Sequence, residues 1–113
     1  MKLQPLKIAF LAWSAVFAAE TLHTLAIANA DQVQSHERSR GRVILKDGTV
    51  IQTVYPGKCL EGLRFDQVIV ADDHRLRLLH YRGALLNELA DRCQGSKVPE
   101  DYRFQFYDLD AEV

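Results

Sequence analysis

Cysteine is scarce in this chain, with two in 113 residues, as are proline with three and methionine and tryptophan with one each. The two cysteines, Cys59 and Cys93, have no Cys-x-x-Cys spacing. This excludes the usual thiol redox motif, and neither they nor the histidines follow a zinc-binding pattern. An excess of charge of either sign is also missing, with 14 Lys and Arg against 15 Asp and Glu, so nucleic acid has no basic footprint to find. A glycine-rich phosphate loop is absent, because neither Gly41 nor Gly48 has the required spacing or a following Lys and Ser/Thr. No apolar run reaches the roughly 20 residues a membrane-crossing helix needs, since Glu20 and His23 interrupt the longest one. There are no internal repeats or low-complexity stretches, and 48% hydrophobic with 26% charged residues is the composition of a globular protein.

The first thirty residues read as a secretory signal. Lys2 and Lys7 form a positive start, an uncharged run follows from Ile8 to Ala19, and the small residues Ala28 and Ala30 suit cleavage between Ala30 and Asp31. A second frame ends before Asn29. No cysteine near Ala30 provides for a lipid anchor. Cleavage would remove two basic residues and one acidic residue, leaving a net charge of −2 on the remainder. On this reading the chain divides into a signal peptide at 1–30, a flexible polar leader at 31–41 and a small β-rich domain at 42–113. Its location would be periplasmic or secreted, with no stable membrane anchor after cleavage. The start of the mature part is basic, through Arg38, Arg40, Arg42 and Lys46, and its end is acidic, through Glu100, Asp101, Asp108, Asp110 and Glu112. Such a split suits a solvated face.

Export carries the cysteines into an oxidising compartment, where an even count implies a bridge. Cys59 to Cys93 has no alternative within one chain, and its loop of about 35 residues implies roughly 4 kcal/mol of stabilisation on the chain-entropy argument.

Order is expected from Arg42. Two β-branched runs flank Asp47 and Gly48, a pair suited to the positive φ angles of a tight hairpin turn, so strands are predicted at 42–46 and 49–55, ended by Pro56 and Gly57. Phe65 to Ala71 reads as a third strand running into the polar turn Asp72, Asp73, His74. Arg75 to Tyr81 would return as its hairpin partner. Ala84 to Cys93 fits either a short helix, with Leu86, Leu89, Ala90 and Cys93 at helical spacing, or a further strand of the meander. Tyr102 to Tyr107 alternates aromatic and polar residues as a half-buried strand does. The expected fold is mainly β: a small antiparallel sheet or open barrel of five to six short strands with one disulfide.

The stretch from Lys58 to Gly95 resembles a family of short exported bacterial proteins known only as a domain of unknown function. The resemblance rests on Cys59, the run Val68 to Ala71, the Asp72–Asp73 turn, the run Leu76 to Tyr81, the Arg82–Gly83 turn, Leu86 to Leu89, and Cys93 followed by Gly95. It covers about a third of the chain and implies export, a bridge and a strand at 84–89; it brings no activity. Two departures stand out. Gln94 occupies a position where that family commonly has proline, and a further C-terminal cysteine is absent.

Few residues suggest chemistry. His74 beside Asp72 and Asp73 could be an imidazole oriented by a carboxylate, or part of a cation site, although aspartates in turns usually bond nearby amides. His80 lies in an apolar run. Ser35, His36 and Glu37 are adjacent in the polar leader, where they cannot form a nucleophile and base held by a third group. The aromatic set Tyr102, Phe104, Phe106 and Tyr107 reads as core. The chain is therefore expected to be a non-enzymatic binding or accessory module of the cell envelope, without a cofactor. It would present loops 56–64 or 72–75 to an unknown envelope protein or ligand. The alternative is a small metal-dependent or hydrolytic enzyme using Asp72, Asp73, His74 and His80.

Overall fold

A computed structural model describes residues 5–110; Lys2 and Glu112, counted above in the basic start and the acidic end, lie outside them. Residues Ile8 to Ala12 are apolar without alternation, the pattern of a strand buried on both faces. They form most of β1 (Lys7–Leu11), the third strand from one edge of the parallel part of the sheet. Ala9, Leu11 and Ala12 have no solvent exposure. Ser14 then accepts a hydrogen bond from the Phe17 amide at 3.2 Å and caps α1 (Ala15–Ala28), whose Ala18, Leu22 and Ala26 repeat every fourth residue and face the sheet. The segment expected to be removed thus contains β1 and α1.

The polar stretch expected to be a mobile leader contains a strand, β2 (Val33–Glu37), flanked by two short 3-10 turns and paired antiparallel with β3 (Arg42–Leu45). Its polarity is that of a sheet edge, where charged and polar side chains discourage further pairing. Gly41 turns the chain into β3 at φ 59°, and a Cβ there would meet the Thr53 hydroxyl. The predicted hairpin is present as β3 and β4 (Val50–Val54). Its turn differs in kind: only Gly48 has positive φ, at 93°. The Gly48 amide donates to the Leu45 carbonyl at 2.9 Å, and the Leu45 amide to the Thr49 carbonyl at 2.8 Å, which is a three-residue loop closed by a left-handed glycine.

After a long connection, β5 (Gln67–Asp72) pairs parallel with the other side of β1. The expected second hairpin does not form. Asp73 caps a single helical turn, α2 (His74–Arg77), by accepting the Leu76 amide at 2.9 Å, so residues 75–81 leave the sheet. The segment 84–93 is helical: α3 (Arg82–Asp91) buries Leu85 and Leu89, and the strand implied by the family resemblance is absent there. Last comes β6 (Phe104–Asp108), parallel to β5.

Among the described residues the sheet has six short strands in the order β2-β3-β4-β1-β5-β6. The expected number of strands is met; the antiparallel or barrel form is not, because β1, β4, β5 and β6 run parallel. From β1 the chain returns to β4 on one side, and from β5 it proceeds to β6 on the other. Right-handed crossovers leading in opposite directions place their helices on opposite faces. Accordingly, Phe10 and Ala12 pack with Ala18 of α1, whereas Ala9, Leu11, Val68 and Val70 pack with Leu76, Leu85 and Leu89 from the α2 and α3 side.

The expected disulfide is not formed. Cys93 is fully buried among Leu60, Phe65 and Leu89, Cys59 is exposed, and both are free thiols. The core packing that encloses Cys93 keeps its sulfur from a residue facing solvent.

Candidate functional site at the carboxyl edge of the sheet

The chain leaves β1 toward one face and β5 toward the other, although the two strands are neighbours, with Leu11 beside Val70. In open α/β sheets the crevice beyond the carboxyl ends of two such diverging strands is where ligands bind. One wall is the β1–α1 connection, Trp13 and Ser14. The other is the β5–α2 connection, which begins at Asp73.

Asp73 is 2% exposed. Besides capping α2, its carboxylate accepts a hydrogen bond from Arg75 Nε at 3.0 Å, and the same oxygen, Oδ2, is ion-paired with Arg75 Nη2 at 2.8 Å. Burial pushes this carboxyl group upward, but the Leu76 amide and the Arg75 guanidinium outweigh it and hold it below the ordinary value. The same guanidinium lies 4.5 Å from the centroid of the Trp13 ring and 4.8 Å from that of Phe17. Arg75 thereby spans the crevice, fixed by a carboxylate at one wall and resting on aromatic faces at the other.

Beside it runs an ionic row. Asp72 accepts Arg82 Nη2 at 3.1 Å and has Arg77 Nη1 at 3.7 Å. Arg77 also donates to Asp110 at 2.6 Å and to Asp108 at 3.5 Å. His74 Nδ1 is 3.4 Å from Asp110, in an exposed pair. Among the described residues the buried side-chain atoms without a hydrogen-bond partner are Trp13 Nε1, Asp72 Oδ1 and Arg82 Nε, all in residues of this edge, and each can take a partner such as water.

Of the residues singled out from sequence, Asp72, Asp73 and His74 stand together here. His80 does not: it is exposed in the connection between α2 and α3, edge-on to Tyr81 at 5.2 Å. Cys59 and Cys93 are elsewhere. Ala30 and Asp31, the expected cleavage pair, lie in the 3-10 turn between α1 and β2. Of the aromatic set read as core, Phe104 packs against the core, while Tyr102, Phe106 and Tyr107 are more than half exposed. Among the described residues no three or more His, Cys, Asp or Glu side chains converge as a metal cage.

Trp13, Arg75, Arg77 and Arg82 were invisible as site residues, because the sequence pattern placed the first in the signal segment and the others on strands or turns. The available signal was the continuous apolar run Val68 to Ala71 ending in two aspartates, which suits a buried parallel strand delivering acidic residues to its carboxyl end. A cavity of about 500 Å³ lies between α1 and the sheet against Phe10, Leu22, Leu25, Ile51 and Ile69, and its lining carries no carboxylate, imidazole or guanidinium. No protein-family model, no curated protein and no solved structure matches the chain.

Proposed function

We propose that this chain is a non-enzymatic binding protein that takes a small anionic ligand in the crevice between the ends of β1 and β5, and that residues 7–28 are retained in the working molecule. The observation that carries the reading is Arg75, held across the crevice by Asp73 and by the faces of Trp13 and Phe17. A guanidinium already oriented in this way can exchange part of its protein contacts for a carboxylate or phosphate group at little conformational cost. Arg77 and Arg82 lie in the same row and extend the cationic capacity, while Asp72, Asp108 and Asp110 balance it.

Binding is favoured over catalysis by the state of the groups themselves. Among the described residues the one buried carboxylate, Asp73, is committed to a helix cap and an ion pair and is held as an anion, the opposite of a general acid poised near neutrality. His74 is exposed and pairs with Asp110, while His80 packs against Tyr81, so the groups of the enzymatic set Asp72, Asp73, His74 and His80 are engaged with different partners. An envelope location rests on the residue pattern of the first thirty positions alone. It competes with the retention of β1, and the N-terminal mass of the protein recovered from its source separates the two.

Trp13 is the single tryptophan and lies in the crevice wall, which makes its fluorescence the natural readout. Titration with inorganic phosphate, citrate and glutamate should give a saturable change for at least one probe, lost in Arg75→Ala and kept in the exposed-surface variant Lys97→Ala. A response that survives Arg75→Ala, or none to any of the three, would refute an anion site at this crevice.

A further inference from the structure

We propose that His23 of α1 and His36 of β2 form a two-histidine site for a transition-metal ion, Zn²⁺ or Ni²⁺, that clasps the helix to the edge of the sheet. The two Nδ1 atoms face each other at 3.5 Å, and the rings are roughly stacked, with centroids 5.2 Å apart and planes 30° apart. This separation sits at the outer limit for a hydrogen bond, so direct bonding between the rings explains the pairing poorly. It is close to the spacing of two imidazole ligands on one metal: with bonds of about 2.0–2.1 Å, a tetrahedral ion holds its nitrogens roughly 3.3 Å apart.

The surroundings favour ligation further. Both rings are half-buried, so little side-chain freedom is left to lose on ligation. Imidazole suits Zn²⁺, Ni²⁺ and Cu²⁺ rather than Mg²⁺ or Ca²⁺. Water would complete the coordination. The site joins two segments remote from the carboxyl edge, so it stands or falls independently of the proposed anion site.

The test is isothermal titration of the full-length chain, with any affinity tag removed, using ZnCl₂ and NiCl₂ as the probes, paired with ring-proton NMR of the histidines. The expected result is one ion per chain with Zn²⁺ or Ni²⁺. The affinity should fall at least tenfold in both His23→Ala and His36→Gln and remain unchanged in a His74→Ala, His80→Ala, Cys59→Ser triple variant. In the unaltered protein the metal should perturb the ring resonances of His23 and His36 ahead of those of His74 and His80, a readout that needs no variant to fold. Absence of stoichiometric binding, binding indifferent to both His23→Ala and His36→Gln, or first perturbation at His74 or His80 would overturn the proposal.

Discussion

Replacing Leu11 by alanine asks whether the first thirty residues belong to the folded protein. Leu11 is the last residue of β1, has no solvent exposure and packs in the cluster that includes Val54, Val70, Leu76 and Leu89. Removing a fully buried leucine side chain costs about 2–5 kcal/mol, the lost transfer energy plus the cavity that remains. A chain of 113 residues has a total stability on the order of 10 kcal/mol, so Leu11→Ala should lose a large fraction of it. With a urea dependence of about 1.5 kcal/mol per molar, a loss of about 3 kcal/mol lowers the unfolding midpoint by about 2 M. Trp13 reports the transition, because it leaves its contact with Arg75 as the strand comes apart. The exposed helix residue Val16, 68% accessible, is the control: Val16→Ala should stay within about 0.5 kcal/mol of the parent. If Leu11→Ala leaves the midpoint unmoved, or if the native Trp13 emission is already that of a free indole in water, β1 is not in the core and the fold described above is wrong.

Asp73→Ala should cost about 1–3 kcal/mol by urea titration, since the Leu76 amide and Arg75 both lose a buried acceptor. Because the folded-state carboxyl group titrates below its unfolded value, its contribution is fully present above about pH 4 and is lost as pH falls through the lower folded value. The stability difference between the parent and Asp73→Asn should therefore shrink below pH 4; a difference that grows on acidification contradicts the ion pair. Gly41→Ala should destabilise by about 1–2 kcal/mol or more, combining left-handed strain with the contact against Thr53. An unchanged melting temperature would refute the tight approach of this turn to β4. Under native, non-reducing conditions, iodoacetamide should label Cys59 alone, and Cys93, whose thiol is pushed up by burial, only after unfolding. Protection of both until a reductant is added would reinstate the bridge.

What could be read in the residues was governed by local chemistry. Asp47 and Gly48 between two β-branched runs specify a hairpin wherever they stand, and β3 and β4 fall where that pair puts them. The apolar run ending at Asp72 and the aromatic alternation before Asp108 likewise mark β5 and β6. The pairing partners are not written in such runs. Ile8 to Ala19 has the same composition whether it is the apolar stretch of an export signal or a doubly buried strand followed by a helix. In this structure its first part lies between β4 and β5, and the N-terminal mass of the protein separates the cases. Arg75 to Tyr81 alternates well enough for a strand, yet Asp73 caps a helix with the same residues, because turning out of the sheet lets Leu76 and Leu85 reach the core. Two cysteines invite a bridge until one of them is enclosed by the core. The candidate site follows the same division: Asp72, Asp73 and His74 were legible as a cluster of functional groups, whereas the crevice required β1 and β5 to lie side by side while their helices depart to opposite faces. Trp13 and Arg75 are 62 positions apart in the chain, and the sheet's topology, not any local preference, brings one over the other.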